Sequence, residues 1–290
     1  MNLRFLRAFA AVAEQRSFSR AADALNVTQP AVSRAVTELE RELGVPLIER
    51  LSRGAGLTEA GTSLYEHARI IFGAENAAIE QLALLRGLDA GSLRIGASTT
   101  IATYVLPRYL AEFHRAHPAV ELSVASANTH DVAALLLEHA LDIALVEGPT
   151  HDKRIDVDPW QEDELVVIAG ATHPMASRRR VLLHDLADQL FIVRERGSGT
   201  REVAEHALKR HRFTPKRTLE VGSTEAIKRT VAAGLGLAIV SGVAAADQIV
   251  AGTLHVLPIG KFAVSRTFSI LSLPGRQPSA AAVAFRKHLA

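Results

Sequence analysis

The chain contains no cysteine, so neither disulfides nor thiolate metal sites are available, which suits a reducing compartment. No run of residues approaches the ~18–20 consecutive apolar positions that a membrane span requires. A large charge of one sign is also missing. Thirty-three Lys and Arg against 31 Asp and Glu leave +2, too small a surplus to identify a partner by itself. Lysine is absent from residues 1–58, where eight Arg face six acids, a net of +2. Residues 59–290 then hold 25 basic and 25 acidic side chains and are neutral. The whole surplus therefore lies at the N-terminus.

What is present reads as a globular chain of two domains. It has 290 residues, 48% of them hydrophobic and 22% charged, well above the size needed to bury a core. The opening MNLRFLRAFAAVAEQ resembles a short signal peptide. However, Arg7 interrupts the apolar run, and Leu3, Leu6, Phe9, Ala10 and Ala13 fall on one helical stripe. A folded helix is the expectation there.

Three helices fit residues 1–43. Ser17 can cap a second helix over 18–25, with Arg20 where a capping box would carry an acid or amide. Asn26 tolerates the left-handed conformation that ends a helix. Thr28 can cap a third helix, with Pro30 in its first turn, where a missing N–H costs nothing. Helix, short turn and helix is the arrangement that lays a second helix in the DNA major groove. On that third helix Val32, Ala35, Val36, Leu39 and Leu43 form a buried stripe, and Ser33, Arg34, Thr37 and Arg41 lie opposite. Its donor-rich N-terminal half suits base edges and phosphates, whereas Glu38, Glu40 and Glu42 stand further along. An ordinary solvated helix with i,i+4 pairs would account for this one segment equally well. The following residues favour DNA: a strand over 45–51, a tight turn over 53–56 and a return at Leu57 make a β-wing, with Arg50 and Arg53 placed to meet the backbone or minor groove. Thr58 can cap a long helix to about residue 86. Leu64, Ala68, Ile71, Glu75, Ala78, Leu82 and Leu85 form a heptad seam on it. A helix ~40 Å long at 1.5 Å per residue reads as a dimerising arm.

After a linker at 87–91 the pattern changes to strands alternating with helices, which implies a mainly parallel α/β sheet with helices on both faces. Strands are expected in SLRIGAST, VELSVASA, LDIALVEG, QLFIVRE, TLEVG, GLAIV, TLHVLPI and RTFSILSLP. Helices are expected over 100–117, 129–139, from about 199, from about 223, and over 278–289. Ser98-Thr99-Thr100, Ser198-Gly199-Thr200 and Gly222-Ser223-Thr224 each put hydroxyls and free N–H groups at a helix start, and Thr129 with His130 adds a fourth. Such ends favour an anion, and open α/β sheets bind ligands at strand carboxyl ends. Each taken alone is read more simply as a plain N-cap. Together they suggest two small sheets facing across a cleft, with Arg194, Arg196 and Arg201 nearby; Arg201 is the leading candidate for the counter-charge, although any of the three fits a solvated surface residue equally well.

SFSRAADALNVTQPAVSRAVTELERELGVPLIERLSRGAGLTEAG resembles the winged helix-turn-helix of LysR-type transcriptional regulators. STTIATYVLP, RERGSGTRE and EVGSTEAIKRTVAAGLGLAIVS resemble the branch that contains regulators of sulfur assimilation and of the Calvin cycle. The resemblance covers essentially the whole chain and departs from the family's usual Phe at Ile48. It implies a winged helix-turn-helix DNA-binding domain over 1–58, a dimerising linker helix over 59–87, and an effector-binding domain over 88–290. The last is a periplasmic-binding-protein-like α/β fold of two subdomains, about 92–162 with 267–290 and about 163–266. DNA contact is implied for Gln29, Pro30, Ser33, Arg34, Thr37 and Arg53, beside the wing's Arg50. Effector contact is implied for Ser98, Thr99, Thr100, Thr129, Ser198, Thr200, Ser223 and Thr224. A cytoplasmic homotetramer, a dimer of dimers on an inverted-repeat operator, is implied as well. RNA polymerase is a candidate partner.

Two other classes of protein fit the sequence less well. A secreted solute-binding protein would share the second fold but leaves the recognition helix and the heptads unexplained. An enzyme lacks support: Gly197-Ser198-Gly199 is not a phosphate-binding loop, no nucleophile elbow is present, and His114/His117 and His206/His211 do not have metal-ligand spacing. No cofactor, metal, catalytic residue or membrane partner is expected.

Overall fold

The structure, a computed structural model, describes residues 1–50, 54–85, 91–260 and 262–289, leaving aside the side chains of 50, 76, 77, 80, 81 and 83–85. It divides into two compact units, Met1–Ile79 and Glu80–Ala290.

In the first unit, α1 (Leu3–Gln15), α2 (Phe18–Ala24) and α3 (Gln29–Leu43) precede a hairpin of β1 (Ile48–Arg50) and β2 (Ala55–Leu57), and α4 (Glu59–Leu85) follows. The sequence sets the turns. Ser17 Oγ accepts from the Arg20 amide at 3.4 Å, and Asn26 closes α2 at φ 54°. Gly44, at φ 73°, ends α3 in the left-handed conformation. Thr28 holds the N-cap position of α3 but makes no side-chain bond there. Leu6, Phe9, Val12, Ala21, Ala22, Val32, Val36, Leu39 and Leu47 form the core, whereas Leu43, expected inside, is exposed. The wing strand begins at Ile48, not residue 45, because Glu40 captures the approaching chain: its Oε1 accepts from the amides of Leu47 at 2.7 Å and Ile48 at 3.1 Å. The turn at 51–53 lies outside the described residues. Thr58 Oγ1 caps α4 by accepting from Gly61 N at 2.9 Å. Gly61 allows this start, since a Cβ there would collide with the Leu47 carbonyl.

The heptad seam splits in two. Ala68 is buried, and Leu64, Ile71 and Phe72 pack on the core of α1 to α3. Arg7 secures the contact by pairing with Glu75 and stacking over Phe72. The first part of the seam is therefore intramolecular, while Ile79 and Leu82 beyond it are 59% and 58% exposed. Among the described residues no helix is long and apolar enough to cross a membrane.

The second unit opens with β3 (Gly91–Ser98), a π-helical turn (Ile101–Val105) and α5 (Leu106–Ala116). Then come β4 (Val120–Ala127), α6 (Thr129–Leu137), β5 (Ile143–Val146) and β6 (Asp156–Gly170). After a short 3-10 turn, β7 (Leu190–Val193), α7 (Gly199–Arg210), β8 (Arg217–Glu220), α8 (Thr224–Ala232), β9 (Leu237–Ser241) and α9 (Gly242–Val250) follow. β10 (Leu254–Val256), β11 (Val264–Ser272) and α10 (Ala280–Leu289) complete it.

The strands form one hydrogen-bonded sheet in the order β4-β3-β5-β11-β6-β9-β7-β8, with β10 on β6, rather than two separate parallel sheets. The outer strands pair in parallel. β11 and β6 pair antiparallel along their length, and the first half of β6 with the second half of β11 serves one lobe while their other halves serve the next. Phe113, Phe268 and Phe285 lie in the core of the first lobe, and Phe191, Phe213 and Leu237 in that of the second. A bulge at Trp160 adds one residue opposite the Phe268–Ser269 step. Pro159 sits beside it, where a missing N–H is tolerated. The indole of Trp160 then donates to the Leu289 carbonyl at 2.8 Å, tying β6 to α10.

Candidate functional site

The N-terminal unit presents α3 as its open face. Gln29, Pro30, Ser33, Arg34, Thr37 and Glu38 line one surface depression. All but Ser33 and Glu38 are exposed, because the 3.6-residue period turns Val32, Val36 and Leu39 inward. The acids of α3 are used internally: Glu38 accepts from Arg41 at 2.8 Å, and Glu40 holds the wing. Arg34, in contrast, makes no ion pair among the described residues, so its guanidinium is available to an outside partner. Arg53 lies outside the described residues, as does the side chain of Arg50.

In the second unit the hydroxyl-bearing strand ends converge where the chain crosses between lobes. Ser98, Thr100, Thr129, Ser198, Thr200 and Thr224 are all buried, with Thr99 and Ser223 partly so. The group they surround is Glu147, at the end of β5. Its carboxylate accepts from Ser98 Oγ, from Thr100 Oγ1 at 3.1 Å and from Thr200 Oγ1 at 3.3 Å. Burial raises its pKa, against the opposing pull of Arg266, Thr100, Arg194 and Thr200.

Two cations complete the cleft. Arg266 pairs with Asp163 in the β11–β6 register, with Nε to Oδ2 at 2.7 Å and both side chains almost fully buried. Ser241 Oγ donates to the other oxygen of Asp163 at 2.7 Å. From this anchor Arg266 Nη1 donates to Thr200 Oγ1 at 2.8 Å. Arg194, 3% exposed, donates to Thr224 Oγ1 at 2.8 Å and Thr99 Oγ1 at 3.3 Å, and pairs with Glu195 at 2.8 Å. It therefore links a lobe-two strand to the start of the π-helical turn in lobe one.

Three buried polar atoms here have no hydrogen-bond partner: Thr129 Oγ1, Ser198 Oγ and Arg266 Nη2. Ser198 occupies the N-cap of α7 without a side-chain bond, which leaves its hydroxyl free. Where the Ser198 loop meets lobe one, the backbones touch. His130 N donates to Gly197 O at 3.2 Å, and a Cβ on Gly199 would stand 2.6 Å from Gly148 Cα and 2.7 Å from Thr129 Oγ1.

Arg201 does not serve as the counter-charge in this arrangement. Its guanidinium is taken by Glu205 at 2.7 Å, Glu220 at 2.6 Å and the Arg194 carbonyl at 2.9 Å. Arg196 is exposed. The cations in the cleft are Arg194 and Arg266, and reading of the sequence missed Arg266, Glu147 and Asp163 entirely. Arg266 alternates on one strand face with the apolar Val264 and Phe268, a signal that could have marked it.

A helix-turn-helix with an open, donor-bearing second helix, joined to a two-lobed α/β unit with a polar cleft at its crossing strands, defines a ligand-responsive DNA-binding regulator. The chain belongs to the LysR family: residues 3–62 match the bacterial regulatory helix-turn-helix domain of that family and residues 86–290 match the LysR substrate binding domain. It is 39% identical over 259 residues, 89% of this chain and 87% of the relative, to the uncharacterized HTH-type transcriptional regulator YeiE of Escherichia coli K12. It is 34% identical to the RuBisCO operon transcriptional regulator of Allochromatium vinosum, over 99% of this chain and 95% of that one. The regulatory domain of Synechocystis CcmR, solved in complex with 2-PG, superimposes with a TM-score of 0.64 at 32% identity, covering 68% of this chain and 95% of that one. The protein is thus a transcription regulator and not an enzyme.

Proposed function

We propose that this regulator acts in the cytoplasm as a homo-oligomer, a dimer of dimers, that reads an inverted-repeat operator through Gln29, Pro30, Ser33, Arg34 and Thr37. A small anionic metabolite in the cleft sets its DNA binding or activation. The observation that carries the effector reading is the set of unpartnered atoms Thr129 Oγ1, Ser198 Oγ and Arg266 Nη2. Buried polar atoms are rarely left unsatisfied. Two hydroxyls and a guanidinium N–H are complemented by a compact group rich in acceptor oxygens. A complex of CcmR with 2-PG supports a small ligand in this kind of domain. Binding shifts the two lobes' relative placement only as far as the ligand prefers one arrangement.

The test is thermal-shift screening of the full-length protein with sulfate, phosphate and small carboxylates, followed by calorimetry on any anion that responds. Thr129→Ala and Ser198→Ala are each expected to weaken that anion by about tenfold, the ~1.4 kcal/mol of one charge-assisted hydrogen bond. Arg34→Ala should keep ligand binding and lose the operator footprint. If no anion responds, or if both hydroxyl variants bind as wild type does, the reading fails.

A further inference from the structure

The second lobe contains a cavity of about 270 Å³ that adjoins the cleft and shares Arg194 and Thr200 with it. It lies between the inner face of α7 and strands β7, β8 and β9. Ala204 and Leu208 form its roof, one turn apart on α7, and Phe191, Phe213 and Ile239 form its floor. These five are otherwise core residues. Protein interiors pack as densely as organic crystals, with few voids larger than a water molecule. A water between roof and floor meets apolar side chains, while Arg194, Thr200, Arg201 and Glu205 supply the polar part of the wall.

The mouth has a different chemistry. Lys209, Thr214 and Thr218 line it and are exposed, and none of their side chains makes a hydrogen bond or ion pair among the described residues. The other cation at the rim, Arg201, is already held by Glu205 and Glu220. An apolar chamber with one free ammonium and two free hydroxyls at its entrance matches a molecule with a hydrocarbon body and one charged end. We propose that this cavity is a second ligand site, which takes a small carboxylate with an aromatic or short alkyl body, its carboxylate facing Lys209.

The site has a structural route to the cleft. Thr200 lines the cavity and donates to Glu147, and Arg194 lines it and reaches Thr99. An occupant that displaces the first turn of α7 changes the hydroxyl set that the cleft offers, and the coupling is reciprocal in free energy. The cavity can be occupied while the cleft is empty, so its test needs no cleft ligand.

Calorimetry on the full-length protein with octanoate and 4-phenylbutyrate tests the proposal, with 1-octanol as the uncharged control. Saturable binding of one carboxylate per chain is expected. Ala204→Phe, which fills the chamber, should abolish it. Thr218→Phe, which obstructs the mouth from the edge strand without entering the core, does the same if Ala204→Phe does not fold. Lys209→Glu should weaken octanoate about tenfold or more and leave octanol unchanged, and Ser198→Ala, in the cleft, should leave both unchanged. Absence of saturable binding overturns the proposal, as does binding that survives both phenylalanine variants. Binding lost in Ser198→Ala assigns the carboxylate to the cleft and overturns it equally.

Discussion

Each guanidinium in the cleft already has a carboxylate of its own, Arg266 with Asp163 and Arg194 with Glu195. The charge left over belongs to Glu147, which decides how the cleft receives an anion. Ionised, it would repel one across a low-dielectric gap; protonated, it can donate to one. Burial raises its pKa, while Arg266, Thr100, Arg194 and Thr200 pull the other way. The folded protein therefore keeps a proton on Glu147 at pH values where the unfolded chain has released it. In that window the folded state binds more protons, so stability falls as pH rises through it. The same proton favours an anionic ligand, so affinity falls in the same direction. As pH rises above the usual carboxylate range, binding of a responding anion should weaken and should take up a proton, measured by calorimetry in buffers of different ionisation enthalpy. Glu147→Gln should bind with a flat pH profile. A wild-type profile that is flat, or a Gln variant that keeps the slope, contradicts this role. Asp163→Ala should behave differently, costing about 3–5 kcal/mol in denaturant melts because it leaves Arg266 buried and unpaired.

Among the elements, closure rests on two loops that carry no side chain where they meet. Gly148 follows β5 and Gly199 begins α7, and each backbone stands where the other's Cβ would go. Gly148→Ala should hold the lobes apart, weakening the cleft ligand by about tenfold or more while the cores on either side keep their melting temperature. Calorimetry and thermal melts on the same sample measure both, and an unchanged affinity would show that the contact is not needed for binding. Elements with strong local punctuation were legible in the sequence. Ser17, Asn26, Pro30 and Gly44 bound α2 and α3 close to where the structure has them. β6 was not legible, because its first half is acidic and contains Pro159 and Trp160, and its pairing with β11 is wholly non-local. The cleft hydroxyls were readable as helix starts. Glu147 and Arg266 were not, since one follows a strand and the other lies on one, and each gains meaning only from partners distant in sequence. Arg194 and Arg201 stand seven residues apart at opposite ends of one turn region, and composition could not say which points to the cleft.

For the whole molecule the deciding element is α4. Its first half spends Leu64, Ala68 and Ile71 on its own domain, so those positions are not free for a second copy. Ile79 and Leu82 are free, at 59% and 58% exposed. Large apolar side chains in that state on a 27-residue helix gain by burial against an equivalent surface, and a two-fold pairing would set two copies of α3 at a fixed separation. The double variant Ile79→Glu with Leu82→Glu should therefore lower the mass seen in sedimentation equilibrium and weaken operator binding, although it touches no DNA-facing residue. Arg34→Ala should do the reverse, leaving the oligomer intact while operator binding falls and its salt dependence decreases by about one ion. Separating the two effects matters, because loss of either reading head or spacing abolishes a footprint. If the α4 variant keeps its assembly mass, oligomerisation runs through another surface, and the exposed half of this helix needs a different partner.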